Sequence, residues 1–231
     1  MRKKIAEVLP ARWSWISAPV AQQKLQRFKE FSSFSNTVEK DVSFKGKWRK
    51  DFFKNQFPIC LELACGKGEY AIGLAEKYAN QNFIGVDIKA NRMWKGARYA
   101  LENQLTNVGF LRTQIDHIEQ YFESSEVDEI WITFPDPQHK KERKRLTNPI
   151  FLGYYNKILR PKAFIHLKTD DDLLYEYTLE IISKLQLPLH RNIKDLYKEP
   201  QISSELELKT FYEKQWIEEN KKIKYLQFSL N

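Results

Sequence analysis

The chain has 231 residues, 42% of them hydrophobic, and a formal net charge of +8, which suits a globular domain and argues against global disorder. No apolar run approaches the roughly eighteen residues of a membrane helix, and the basic N-terminus lacks the apolar run of a signal peptide. Cys60 and Cys65 form neither a disulfide framework nor a zinc-binding spacing, so we expect a cytoplasmic protein without a bound metal.

The excess positive charge lies in residues 1–50, which carry 12 Lys or Arg against 4 Asp or Glu. Aromatic residues are interleaved with these charges: Trp13, Trp15, Phe28, Phe31, Phe34 and Trp48. This mixture is typical of a segment that binds a polyanion with stackable bases, although aromatic side chains packed on a core beneath solvated lysines explain it equally well. We therefore divide the chain into a basic, aromatic N-terminal extension, residues 1–50, and a main domain, residues 51–231.

From residue 59 onward, short β-branched or apolar runs alternate with longer helical patterns. The predicted strands are 59–64, 82–87, 107–112, 127–134, 162–169 and 222–230. The predicted helices are 69–80, 90–104, a short one at 117–122, 149–159, 171–185 and 211–220. This alternation predicts an α/β fold with a mostly parallel sheet and helices on both faces. Residues 187–208 are predicted to be irregular, and the pattern does not give the direction of the last strand.

The loop after the first predicted strand has the features of a cofactor-binding turn. Gly66 and Gly68 form a G-x-G-x-x-A pattern, and Asp87 follows Gly68 by 19 residues, the spacing of a ribose-binding acid. This pattern fits either a nicotinamide dinucleotide or S-adenosylmethionine. Glu62 would repel a pyrophosphate but attract the ammonium group of a methionine moiety, which favours S-adenosylmethionine. The alternatives are an outward-facing Glu62 at a strand edge and a helix-capping Asp87.

Two later strand ends also carry candidate site residues. Gln114 follows the third strand and could read an adenine amino group, although capping of the next helix by Asp116 is equally plausible. Asp136 follows the fourth strand between two prolines, which hold its backbone extended, so we expect a catalytic acid there and not a solvated turn. The basic residues after it offer phosphate contacts: Lys140, Lys141, Arg143, Lys144 and Arg145.

The last two candidates lie near the C-terminus. Asp170 begins a run of three acids that could bind base edges or a metal, or could favour the first turn of the next helix. Residues 210–213, Thr-Phe-Tyr-Glu, form a T-x-x-E capping box. The four histidines are dispersed, and we assign none of them a catalytic role.

These motifs together resemble the tRNA (guanine-N7)-methyltransferase family of class I S-adenosylmethionine-dependent enzymes. The resemblance rests on E-L-A-C-G-K-G (62–68), G-V-D (85–87), F-P-D-P-x-x-K (134–140), K-R-L (144–146), H-L-K-T-D (166–170) and T-F-Y-E (210–213). It implies a Rossmann-like, seven-stranded sheet with an antiparallel last strand. It also implies methyl transfer from S-adenosylmethionine to N7 of guanine 46 in the variable loop of tRNA. The chain departs from the family at Gln138, usually Trp, and at Gln114, usually Asp.

The resemblance also implies a role for each matching residue. Asp136 would be catalytic, and the cofactor would be bound by Glu62, Gly66, Gly68, Asp87, Gln114 and Asp136. The substrate-binding residues would be Lys140, Asp170, Thr210, Phe211, Tyr212 and Glu213. We expect S-adenosylmethionine as cofactor, tRNA as partner, no membrane association, and a monomer or homodimer. The alternatives are a methyltransferase for another RNA base, a nicotinamide-dependent oxidoreductase and a non-catalytic RNA-binding protein.

Overall fold

An eight-stranded sheet organises the chain, of which the computed structural model describes residues 20–230. The strands are β1 (Thr37–Glu39), β2 (Ile59–Leu63), β3 (Asn82–Asp87), β4 (Val108–Arg112), β5 (Val127–Thr133), β6 (Leu159–Thr169), β7 (Leu189–Ile193) and β8 (Lys224–Ser229). The α-helices are α1 (Val20–Ser33), α2 (Glu69–Lys77), α3 (Ala90–Glu102), α4 (Pro149–Ile158), α5 (Asp172–Lys184) and α6 (Phe211–Glu218). Within residues 20–230, no helix has the length and apolar character needed to cross a bilayer.

The sheet has the order β1-β4-β3-β2-β5-β6-β8-β7, and β8 runs antiparallel to both of its neighbours. The antiparallel last strand implied by the resemblance is therefore confirmed. The count of seven strands is wrong, because Thr37–Glu39 adds a parallel edge strand beside β4. The strands β3 and β4 lie on one side of β2, and β5 and β6 lie on its other side, so the strand order reverses at β2. The carboxyl ends of β2 and β5 thus frame the crevice in which such sheets bind ligands.

Apolar layers cover both faces of the sheet. Ile59, Leu61 and Leu63 of β2 pack in one buried cluster with residues of α4 and α5, whereas Cys60 packs in the other with residues of α2 and α3. Alternate residues of a strand point to opposite faces, so a strand buried on both faces is apolar almost throughout. This requirement makes a charged residue inside β2, Glu62, exceptional.

The described part of the predicted N-terminal extension packs on the sheet. Phe31 and Trp48 are fully buried, and Trp48 Nε1 donates to the carbonyl of Tyr121 at 2.8 Å. These two aromatic residues therefore pack on the core, the second of the two interpretations of the extension. Trp13 and Trp15 lie outside the described residues, and the domain boundary at residue 50 stays a prediction.

Candidate active site

The loop between β2 and α2 turns through three residues with positive φ: Ala64 (56°), Gly66 (58°) and Gly68 (71°). A Cβ atom on Gly68 would lie 2.4 Å from Phe110 Cε1, so this position tolerates only glycine and lets α2 begin close to β4. A Cβ atom on Gly66 would meet no described atom within 4 Å. The backbone at Gly66 therefore faces space that a ligand can occupy.

Glu62 lies in β2 beside this loop, with its carboxylate buried. The hydroxyl of Thr133, the last residue of β5, donates to Oε1 at 2.6 Å, and the Ala71 N–H donates to Oε2 at 2.9 Å. Burial raises the pKa of Glu62 to about 7, although both hydrogen bonds oppose the shift. The carboxylate therefore joins both central strands to α2, and a cation placed against it would favour its ionised form.

Asp87, the last residue of β3, holds the glycine loop in place. Its Oδ2 accepts the Gly66 N–H at 3.0 Å, and its Oδ1 accepts the Lys89 N–H at 2.8 Å. The helix α3 begins at Ala90, and the residue at its N-cap position is Lys89, so the capping alternative for Asp87 is wrong. The carboxylate instead ties the end of β3 to the loop after β2.

A cavity of about 460 Å³ opens beside Asp87 at the carboxyl ends of the strands. Its wall mixes apolar, polar and basic side chains, including Gln114, Ile115, Gln138, Arg143 and Tyr154. Gln114 is exposed, and no side chain within residues 20–230 caps the short 3-10 helix Ile115–Gln120 that follows it. The capping alternative for Asp116 is therefore also wrong. The volume and the mixed lining are those of a small-molecule site.

Asp136 lies immediately beyond β5, next to this cavity. Its Oδ1 accepts the Gln138 N–H at 3.0 Å, and the side chain of Gln138 lines the cavity. Phe134 (φ 48°) and Gln138 (φ 51°) have left-handed backbone conformations on either side of it. Its Oδ2 accepts no hydrogen bond from any residue between 20 and 230, and the side chain is exposed. The turn therefore presents one unpaired carboxylate oxygen at the sheet edge.

The basic run after Asp136 divides into an exposed part and a buried part. Lys140, Lys141, Arg143 and Lys144 are exposed, as expected for phosphate contacts. Arg145 is buried; its Nε donates to the Pro137 carbonyl at 3.2 Å, and its guanidinium lies 4.4 Å from the centre of the Tyr177 ring. The expectation that Arg145 contacts phosphate is therefore wrong, because this side chain holds the loop against α5.

The first two acids after β6 have partners within the protein. The half-buried Asp170 has its Oδ2 3.5 Å from Lys221 Nζ. Asp171 caps α5 by accepting the Leu174 N–H at 2.7 Å, and its other oxygen lies 2.7 Å from His139 Nε2 in the basic loop. Over residues 20–230, no group of three or more His, Cys, Asp or Glu side chains is placed to hold a metal ion.

The capping box predicted at residues 210–213 is present at the start of α6. Thr210 Oγ1 accepts the Glu213 N–H at 3.3 Å, and Glu213 Oε2 accepts the Thr210 N–H at 3.3 Å. Phe211 is 49% exposed and Tyr212 is 50% exposed, whereas Glu213 is fully buried. The box therefore presents two aromatic side chains to solvent and directs its carboxylate inward.

A buried lysine that sequence reasoning missed lies behind this box. Lys168 Nζ is 2.7 Å from Glu213 Oε1, and both side chains are fully buried. Burial lowers the pKa of Lys168, although the pairing with Glu213 opposes that shift. The one signal in the sequence was a lysine near the end of the predicted strand 162–169. Its partner lies 45 residues away, so local patterns could not reveal the pair.

The glycine loop and the start of α6 lie side by side. Glu69 Oε2, in the first turn of α2, accepts the Phe211 N–H at 2.6 Å. Lys67 Nζ lies 4.3 Å from the centre of the Phe211 ring and 5.6 Å from that of Tyr212. The structure thus brings the predicted cofactor loop and the predicted substrate segment together at one edge of the sheet.

A second cavity of about 280 Å³ contains none of the predicted site residues. His166, Tyr225 and Trp131 are among the residues that line it. His166 Nδ1 lies 2.7 Å from Tyr225 Oη, and the Trp131 ring stacks on the His166 ring with their centres 3.9 Å apart. Glu129 Oε1 lies 2.8 Å from His166 Nε2, but at an angle that makes no hydrogen bond. This cavity is therefore separate from the edge where the predicted residues meet.

The sheet order, the antiparallel last strand and the glycine loop after the first central strand define a class I methyltransferase fold. The structure is similar to that of the 16S rRNA methyltransferase KamB, with a TM-score of 0.62 and 16% identity over 85% of this chain and 99% of that one. It is also similar to an antibiotic-related methyltransferase, with a TM-score of 0.61 and 14% identity over 83% and 96% of the two chains. At these identities the likeness concerns the fold.

Sequence comparison identifies the family within this class. A family model described as a putative methyltransferase matches residues 56–226. The tRNA (guanine-N(7)-)-methyltransferase of Bacteroides thetaiotaomicron is 44% identical over 219 residues, which cover 91% of this chain and 87% of that protein. The enzyme of the same name from Porphyromonas gingivalis is 48% identical over 193 residues, or 83% and 79% of the two chains. The chain therefore belongs to the tRNA (guanine-N(7)-)-methyltransferase family and is an enzyme.

Proposed function

We propose that this enzyme transfers the methyl group of S-adenosylmethionine to N7 of guanine 46 in the variable loop of tRNA. The observation that carries the proposal is that the glycine loop, Asp87 and Asp136 lie together at the carboxyl edge of the central strands, beside a cavity of about 460 Å³. The curated relatives are named tRNA (guanine-N(7)-)-methyltransferase, which supports guanine N7 in tRNA as the target. A cytoplasmic location is part of this proposal.

The residues at the cavity fit S-adenosylmethionine, which supplies an electrophilic methyl group on a sulfonium. Asp87 would accept the ribose hydroxyl hydrogens, because each of its oxygens has a lone pair beyond the N–H that it already accepts. Gln114 would accept an adenine amino hydrogen through its amide oxygen while Ile115 packs on the ring. The open space at Gly66 would admit the cofactor, and the buried carboxylate of Glu62 would attract its ammonium group.

The proposed chemistry needs a positioned carboxylate and no general base. Guanine N7 has an exposed lone pair, so holding it in line with the methyl group supplies most of the rate enhancement. The base gains positive charge as the new bond forms. Asp136, with one unpaired oxygen on a stiff turn beside the cavity, would stabilise that charge as it develops.

The residues around this edge suit an RNA substrate. Lys140 and its exposed basic neighbours would hold phosphates, and Asp170 would contact the base edge. Phe211 and Tyr212 offer half-exposed rings on which an unstacked base can lie. Glu213 faces the interior, so its contribution to substrate binding would be indirect, through the position of these two rings.

The proposal is tested by incubating the protein with tRNA and methyl-labelled S-adenosylmethionine and mapping the labelled base. We expect N7-methylguanosine at position 46 and no label on a transcript in which guanine 46 is replaced by adenine. Label on another base would support the alternative of a different RNA methyltransferase. Absence of label on every tRNA, with cofactor binding intact, would reject the proposed reaction.

A further inference from the structure

We propose that Lys168 is a positioning residue for the RNA substrate, because its ammonium group fixes the start of α6 and thereby places Phe211 and Tyr212 beside the glycine loop. This inference rests on the proposed function, in which those two rings contact RNA. Lys168 itself is fully buried, so it would act through the residues that it contacts and not on the RNA directly.

The ammonium group of Lys168 has three polar partners within the protein. Its Nζ lies 2.7 Å from Glu213 Oε1, and it donates to the carbonyl oxygens of Leu206 at 3.1 Å and Leu208 at 2.9 Å. Two hydrogen bonds and one ion pair therefore hold the ammonium group. These contacts join the end of β6 to the segment that leads into α6 and to the first turn of α6 itself.

The carboxylate that Lys168 pairs with also caps the helix. Glu213 Oε1 faces Lys168 and accepts a hydrogen bond from the Tyr197 hydroxyl at 2.6 Å, while Glu213 Oε2 accepts the Thr210 N–H. On the other side, the Phe211 N–H donates to the carboxylate of Glu69 in α2. Contacts with Lys168 of β6 and with Glu69 of α2 thus hold the first turn of α6 in place. The side chains of Phe211 and Tyr212 in this turn stay exposed.

Stability alone does not explain a fully buried ion pair. The attraction between the charges is offset by the loss of their hydration, and replacing both partners by uncharged residues of similar size is often neutral or stabilising. Breaking the pair on one side is costly, because the remaining charge stays buried without a partner. The specific geometry that Lys168 imposes on residues 206–213 accounts for its presence.

The test separates this positioning role from a purely structural one by means of two single variants and their combination. We expect Lys168→Met and Glu213→Gln each to lower the urea midpoint, and the double variant Lys168→Met/Glu213→Gln to regain most of the loss. We expect the double variant still to bind tRNA at least tenfold more weakly than the wild type, with a much smaller change in the Kd for S-adenosylmethionine measured without tRNA. Hydrogen exchange in residues 209–214 should be faster. Lys184→Met, at the far end of α5, is the control and should match the wild type.

A double variant with wild-type stability and wild-type tRNA affinity would overturn the inference, because the pair would then be merely structural. Should that variant not fold, Lys168→Gln/Glu213→Gln keeps hydrogen-bonding groups at both positions but removes the ammonium group. Wild-type tRNA affinity in that variant would show that the ammonium group does not fix the start of α6. The tRNA Kd is measured without methyl transfer. If the wild-type protein binds tRNA but transfers no methyl group, the proposed function is rejected. The role of Lys168 is still decided by the tRNA binding data.

Discussion

Glu62 and Thr133 join the two central strands, because the Thr133 hydroxyl at the end of β5 donates to Glu62 Oε1 at 2.6 Å. Both side chains are buried, and the other carboxylate oxygen accepts the Ala71 N–H of α2. An acid in this position costs free energy when it is ionised and no cation is bound, since burial disfavours its charged form.

The first prediction concerns the pH dependence that Glu62 gives to stability. Its pKa is about 7 in the folded chain against an ordinary 4.5, so the unfolded chain releases this proton first as the pH rises. The contribution of Glu62 to the free energy of unfolding therefore falls between about pH 4.5 and pH 7 and changes little above that range. From urea unfolding at pH 5 and pH 8, we expect the wild type to lose about 2–3 kcal/mol relative to Glu62→Gln. Parallel losses in both proteins would contradict this result.

The second prediction compares the two glycines of the cofactor loop. Both have positive φ, so an alanine at either position costs about 1–2 kcal/mol of backbone strain. Only Gly68→Ala adds a clash, with Phe110, and we expect it to lower the free energy of unfolding further and to reduce soluble yield. Gly66→Ala should fold but bind S-adenosylmethionine at least tenfold more weakly, as measured by calorimetry. Equal cofactor affinity in Gly66→Ala and the wild type would show that the cofactor does not occupy that space.

The third prediction tests the charge of Asp136. Asp136→Asn retains an oxygen that can accept the Gln138 N–H, so the turn should persist and the urea midpoint should stay within error of the wild type. We expect kcat to fall by about a hundredfold or more, the order of effect of removing one electrostatic contact to a transition state. Glu180→Gln, on the exposed surface of α5, is the matched control. A kcat within threefold of the wild type would remove Asp136 from the catalytic site.

The fourth prediction concerns the exposed lysines of the basic loop. Each phosphate contact that is lost flattens the plot of log Kd against log salt concentration by about one unit. Lys140→Ala/Lys141→Ala should therefore bind tRNA more weakly at low salt and show a slope that is flatter by about one to two units. Lys184→Ala removes another exposed lysine, at the far end of α5, and should leave the slope unchanged. An unchanged slope in the double variant would assign the two lysines to ordinary solvated surface.

Periodicity predicted most of the sheet because central parallel strands are apolar almost throughout. The strand expected at 82–87 is β3, Asn82–Asp87, and the other expected strands match observed ones to within three residues at either end. The strands β1 and β7 were missed. β1 has only three residues, and β7 has the mainly exposed, polar sequence LHRNI, so neither carries an apolar pattern of sufficient length. Such edge strands are defined by their pairing, which is a tertiary property.

The candidate site was predictable where its residues follow strands, and not where they depend on distant partners. Asp87, Gln114 and Asp136 lie at strand ends that the alternation of elements already located. The burial of Arg145 and the pairing of Lys168 with Glu213 depend on side chains brought together by the fold. Charge alone placed Arg145 with its solvated neighbours, because a sequence pattern does not distinguish a guanidinium stacked on a ring from one in water.

The hydrogen bond from the Phe211 N–H to Glu69 would couple the binding of the two proposed ligands. Glu69 belongs to the helix that follows the cofactor loop, and Phe211 opens the segment proposed to hold RNA. A ligand that strengthens this hydrogen bond from one side improves affinity on the other side, and thermodynamics requires the two effects to be equal in size. Bound cofactor would then raise the affinity of the enzyme for tRNA, and bound tRNA would raise its affinity for the cofactor. After transfer, the release of either ligand would weaken the binding of the other.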